Sequence, residues 1–155
     1  MNRQIYTTFS LILIISTMTI MNNCCGIKNA KNNTEMNQEK NVLTPVFNVS
    51  AKTRLLINDI ETELNESKTK LENYTPSKKI IDNHSLLYID NQIYINGFML
   101  TNANFDETFL TKISVEIGST SGKFTTVQIP LNKFDQFLKI VGIEYFEIAV
   151  KTKNN

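Results

Sequence analysis

Between residues 93 and 150 the apolar residues change period in a fixed order, and that order limits the folds open to the chain. Residues 93–100 are β-branched and aromatic, the composition of a strand. Asn104 followed by Glu107 has the spacing of a capping box, and Phe105, Phe109 and Leu110 give the helix it would start an apolar face. Ile113, Val115 and Ile117 alternate with Ser114 and Glu116, the period of two of a half-buried strand. Residues 118–122 begin and end in glycine and read as a turn. Thr125, Val127 and Ile129 alternate again, and Pro130 is expected to end that strand. Leu131, Phe134, Phe137, Leu138 and Val141 return to helical spacing, with Gly142 placed to close the helix. Residues 143–150 form the last strand, with Phe146, Ile148 and Val150 on one side.

The order β-α-β-β-α-β predicts an α+β unit of ferredoxin-like topology over residues 85–151. Right-handed crossovers place both helices on one face of a four-stranded antiparallel sheet. More than a dozen large apolar side chains are available to fill the layer between them. Each contributes roughly 1.5–3 kcal/mol when buried, so the unit needs neither metal nor disulfide. Residues 86–89 also read as a strand, turned back by Asp90-Asn91. In the sheet order 4-1-3-2 the first strand has neighbours on both sides, so this piece is expected only as a short ribbon.

The region before the sheet reads differently. Pro45 precedes a short apolar patch at 46–49, and Ser50 has the character of a helix cap. Leu56, Ile57, Ile60 and Leu64 then fall at helical spacing, so an amphipathic helix is expected over 51–66, docked on the following unit. Residues 71–83 are polar and contain Pro76, and read as a linker. The only histidine, His84, falls beside that linker and is expected to be an exposed loop residue.

At the start, Arg3 and a short apolar run over 9–21 have the pattern of a secretory signal, too short and too polar for a membrane span. The run ends at Met21-Asn22-Asn23-Cys24, which resembles a bacterial lipoprotein signal. That resemblance implies lipidation on Cys24, with Cys25 as the alternative, and attachment to the membrane of a bacterial cell envelope. Residues 1–23 are then the signal and 24–49 a flexible tether, its 26–40 stretch rich in Asn, Lys, Glu and Gln. Adjacent cysteines do not make a disulfide framework.

The residues over 48–151 resemble a known family. VEIGSTSGKFTTVQIP at 115–130, LNKF at 131–134, VGIEYFE at 141–147 and SAKTRLL at 50–56 are similar to the N-terminal pro-region of Bacteroidetes-type subtilisin-like serine proteases. Such a pro-region is similar to the ferredoxin-like subtilisin-propeptide inhibitors, which present a bare sheet face to the protease and lay a C-terminal tail in its cleft. The resemblance implies a contact face of Ser114, Glu116, Thr126, Gln128, Tyr145 and Glu147, and a tail of Val150, Lys151, Thr152 and Lys153. It implies a protease partner bound in trans, with the chain as inhibitor or folding helper. Asn155 falls where the catalytic domain of those proteases begins, so a regulatory module without its enzyme is expected.

Other functions of this topology find less support. After Arg54 there is no arginine to form the phosphate loop of an acylphosphatase. Both cysteines sit at the signal, away from the first loop of a metal carrier, so no metal or cofactor is expected. Sixteen Lys and Arg stand against 15 Asp and Glu, which supplies no basic field for nucleic acid. No glycine-framed nucleophilic serine accompanies His84, so no catalytic triad is expected. The alternative to a protease partner is a structural or interaction lipoprotein, or a truncated remnant.

Overall fold

In the computed structural model, which describes residues 40–151, Ser50 starts the first helix as its chemistry requires. Its backbone is extended (φ −64°, ψ 163°) and its hydroxyl accepts the Thr53 N–H at 3.1 Å. Helix α1 runs over Ala51–Ser67, and Thr53, Leu56, Ile57, Ile60 and Leu64 form its buried stripe. No helix among the described residues is long and apolar enough to cross a membrane.

Six strands make one mostly antiparallel sheet: β1 (Asn48–Val49), β2 (Leu87–Ile89), β3 (Gln92–Thr101), β4 (Glu116–Ser121), β5 (Phe124–Pro130) and β6 (Ile143–Ile148). The order is β1-β6-β3-β5-β4, and β2 pairs with β3 beside this path. Only the β1–β6 pair is parallel. The fold is therefore α+β, with six strands where the sequence pattern implied four. β3 holds three partners because it is ten residues long. β5 runs along one side of it from Tyr94 to Leu100. On the other side β6 takes the half from Gly97 onward, and β2 takes only Gln92 to Tyr94. The β2–β3 turn is Asp90-Asn91, both at positive φ (47° and 64°), the backbone of a two-residue hairpin.

One parity of the strand residues faces the core. Ile95 and Met99 of β3, Val127 and Ile129 of β5, and Phe146 and Ile148 of β6 join a single cluster. The same cluster takes in the α1 stripe, Ile80 of α2 (Lys78–His84), Leu110 of α3 (Thr108–Lys112) and Phe134, Phe137 and Leu138 of α4 (Phe134–Leu138). Phe137 lies at its hub, 4.9 Å from the Phe146 ring and 5.8 Å from Phe47, both edge-on.

Several local expectations are corrected. Residues 71–83 are not a loose linker: they hold a 3₁₀ turn at Leu71–Asn73 and helix α2, capped by Ser77. Leu71 and Ile80 are buried, and Glu63 of α1 accepts the Tyr74 hydroxyl at 2.7 Å and the Ser77 N–H at 3.0 Å. A few apolar residues in a polar stretch suffice because α1 offers a surface on which to seat them. Burial works to raise the Glu63 carboxyl, but the bonds from Ser77 and Tyr74, with Lys79 nearby, hold it below its ordinary value. Nor is the tether reading kept over 40–49, where Leu43 and Val49 are buried and β1 forms.

The helix expected from Asn104 starts at Thr108 instead, because Asp106 Oδ1 rather than Asn104 accepts a first-turn amide, Thr108 N–H at 2.9 Å. Ile113 closes that helix and Ser114 takes a left-handed backbone (φ 60°), so the next strand begins only at Glu116. It runs through Gly118 to Ser121 with an irregularity between Ile117 and Thr120, leaving Gly122-Lys123 as the turn. The helix expected to reach Val141 is a 3₁₀ turn at Leu131–Lys133 followed by α4, and Val141 is 72% exposed. Pro130 is the last residue of β5, and Val150 lies beyond the end of β6.

The final strand is not a free edge. β1 pairs with it in register Asn48↔Tyr145 and Val49↔Phe146, and the Ser50 N–H donates to the Phe146 carbonyl. The fully buried Thr53 hydroxyl continues this cover, accepting the Ile148 N–H at 3.1 Å and lying 3.4 Å from the Phe146 carbonyl oxygen. Thr53→Val keeps the shape and orphans the buried Ile148 N–H, so a loss of about 1–3 kcal/mol is expected in urea unfolding. Thr53→Ser keeps the hydroxyl and should cost about 1 kcal/mol for its methyl. Equal losses in the two variants would mean that the hydroxyl contributes nothing.

Candidate interaction face

Side chains alternate across a strand, so the residues between the core positions point out of the other side of the sheet. The strand registers line them up in rows. Tyr145, Leu100 and Phe124 form one row, and Glu147, Phe98 and Thr126 the next. Asn96, Gln128 and Glu116 form a third. Among the described residues no helix shares this side with them in the buried cluster, and Phe98 and Phe124 are 42% and 49% exposed.

Five of the six contact residues expected from the sequence lie in these rows: Glu116, Thr126, Gln128, Tyr145 and Glu147. Ser114 does not, because its left-handed backbone precedes the strand. The sequence reading missed Phe98, Leu100 and Phe124, which give the face its apolar centre. The available signal was parity: Phe98 and Leu100 alternate with Ile95, Gly97 and Met99, and one of the two sets must face away from the core.

The polar groups of the face are organised locally. The Tyr145 hydroxyl donates to Glu147 Oε2 at 3.1 Å; burial and this carboxylate raise its pKa above the ordinary phenol value. Strands β3 to β6 carry no Lys or Arg, so Glu116 and Glu147 leave the face weakly acidic. Asn96 Oδ1 is buried and has no hydrogen-bond partner among the described residues. At the margin, every residue of β4 is exposed, and β4 is the open end of the strand order.

The tail is held rather than loose as far as it is described. Ala149 N–H donates to the Asn96 carbonyl, and Lys151 N–H to Ser85 Oγ at 3.0 Å. Val150 is 36% exposed. Thr152 and Lys153 lie outside the described residues, as do Cys24, Cys25, the signal and the tether as far as residue 39.

His84 is also not where it was expected. It is the last residue of α2, 8% exposed, with Nε2 2.7 Å from Asp59 Oδ2. The pair ties α2 to α1 over a separation of 25 residues. Its signal was the three-residue step from Ile81 and the four-residue step from Ile80, which seat the ring on the apolar side of a short helix. Among the described residues no three His, Cys, Asp or Glu side chains converge in a way that could hold a metal ion.

What the arrangement can do is bind: it offers a weakly acidic sheet surface with an aromatic centre, next to an unpaired strand edge. No protein-family model matches the sequence, and neither a curated protein nor a solved structure does.

Proposed function

We propose that the chain is a non-catalytic, lipid-anchored, propeptide-like module that binds a subtilisin-like serine protease in trans, as inhibitor or folding helper. We read β6-β3-β5-β4, with α3 and α4 in the connections, as a ferredoxin-like core extended by β1 and β2. The observation that carries the functional reading is the one-sided sheet. Its core side is filled by four helices, while its other side leaves Phe98 and Phe124 half exposed around Leu100, Thr126 and Tyr145. Contiguous exposed aromatic surface on a small domain favours a protein partner. The two carboxylates and the lack of Lys and Arg on these strands disfavour nucleic acid. A protease surface presenting donors or basic groups complements Glu116 and Glu147.

The test is kinetic. The full chain, added to a subtilisin-like protease from the same cell, is expected to slow peptide hydrolysis or raise the refolding yield of the denatured protease. Phe98→Ala with Phe124→Ala should weaken that effect by about tenfold or more, as truncating central aromatic contacts does. A wild-type chain that does neither, against every such protease of the cell, removes the proposal.

A further inference from the structure

Away from the sheet face lies a groove of about 680 Å³, between the C-terminal end of α1, the segment entering at Lys40 and helix α4. Its floor includes the buried Leu43, Leu64 and Leu71. Its walls bring together Lys40, Lys68, Lys70 and Lys139. This is a local excess on a chain whose formal charge is only +1.

The charge balance decides what the groove can hold. Two carboxylates, Glu72 and Asp135, share the lining. Asp135 is taken by Lys139 at 2.8 Å, and among the described residues no other lysine has an acidic partner within 4 Å. The end of α1 adds about half a negative charge. Four ammonium groups outweigh that total. Part of the helix end is already capped without the lysine side chains. The Leu64 carbonyl receives the N–H groups of Lys68 and Thr69, and the Glu63 carbonyl receives the Ser67 hydroxyl.

We propose that this groove binds a compact multivalent oxyanion, a molecule carrying two or more phosphate or carboxylate groups. Single exposed charges gain little in water, and salt screens them beyond about 8 Å. A monovalent anion therefore gains too little to stay. One that spans the groove can reach Lys40, Lys68 and Lys70, the three lining lysines that have no acidic partner within 4 Å among the described residues. Ammonium groups act as point charges without selecting a planar partner, so phosphate and carboxylate chemistry are both served.

The experiment titrates the full chain with inorganic tripolyphosphate, with citrate and with acetate at matched ionic strength, following backbone amide shifts. Tripolyphosphate or citrate is expected to give saturable shifts centred on residues 68–71 and 135–139, and acetate none. The stronger of the two identifies the source of charge. The pair Lys68→Gln with Lys70→Gln should weaken binding by about tenfold or more. Lys78→Gln with Lys79→Gln on α2 should leave it unchanged. Thermal melts of both variants show that each is folded. The proposal is overturned by a lack of saturation at about 10 mM, by equal effects of the two double variants, or by acetate matching the polyanions.

Discussion

Phe137→Ala is expected to remove about 3–5 kcal/mol of stability, the usual cost of truncating a fully buried phenylalanine. Phe137 is completely buried and packs three parts of the chain on one ring. Its ring stacks on Phe134 of the same helix at 6.4 Å, meets Phe146 of β6 edge-on at 4.9 Å, and takes the edge of Phe47 from the segment before β1. Aromatic pairs of this geometry add about 0.5–1.5 kcal/mol beyond the area they bury. The cavity has little freedom to collapse. α4 is only five residues long, and its position is fixed by Leu138, whose carbonyl accepts the Val46 N–H at 2.9 Å. Domains are stable by about 5–15 kcal/mol in total, so the variant should lie near the edge of folding. Urea unfolding followed by tyrosine fluorescence measures the loss, and Phe137→Leu should recover more than half of it. A midpoint for Phe137→Ala within error of the parent would mean that the aromatic cluster is not the hub described.

The elements that could be read from the sequence are those whose local chemistry and tertiary role agree. Ser50, with Leu56, Ile57, Ile60 and Leu64, is a cap and a stripe, and the helix formed there is within a residue of its expected end. Asp90-Asn91 is a pair that accepts positive φ, and it made the hairpin expected of it. The elements that could not be read depend on a partner. α2 has seven residues, and little in it besides Ile80 and Ile81 signals a helix. It exists because Glu63 and Asp59 on α1 meet Tyr74, Ser77 and His84. The half-buried strand expected at 113–117 fails for a similar reason. Val115 is buried in the core cluster, but from the loop between α3 and β4, and β4 itself lies at the margin with every residue exposed.

The candidate face was half legible. Alternation on β5 and β6 separates Thr126, Gln128, Tyr145 and Glu147 from the core without help. β3 is different, because Ile93, Ile95, Met99 and Phe98, Leu100 are apolar on both parities. Hydrophobicity cannot choose between the two sides of such a strand. Gly97 can, but only once it is known that the Phe146 ring lies over it, and that contact spans 49 positions of sequence.

Gly97→Ala turns that contact into a measurement. Gly97 is paired with Val127 and Ile148 in mid-sheet, and its backbone is not of the kind that demands glycine. The requirement is space. A methyl group there would enter the Phe146 ring, 2.5 Å from Cζ, and stand 2.6 Å from the Glu147 carbonyl oxygen. The ring cannot swing away cheaply, since Phe137 and Phe134 hold it at centroid distances of 4.9 and 6.5 Å. Replacing glycine by alanine stiffens the unfolded chain and returns about 0.4–1 kcal/mol. Overpacking costs about 1–3 kcal/mol and sometimes more, and with both a ring and a carbonyl in the way the net loss should fall near 3 kcal/mol. Phe146→Leu discriminates between the two obstacles. It destabilises by itself, yet it removes the ring atoms that the new methyl meets. In that background Gly97→Ala should cost at least about 1 kcal/mol less than in the parent, a coupling well above the roughly 0.5 kcal/mol scatter of independent sites. The part that survives belongs to the Glu147 carbonyl and should appear as weakened β3–β6 pairing, visible as faster amide exchange at Phe98 and Ala149. Strict additivity of the two substitutions would place the obstacle in the backbone alone, and the choice of core side for β3 would then rest on something other than Phe146.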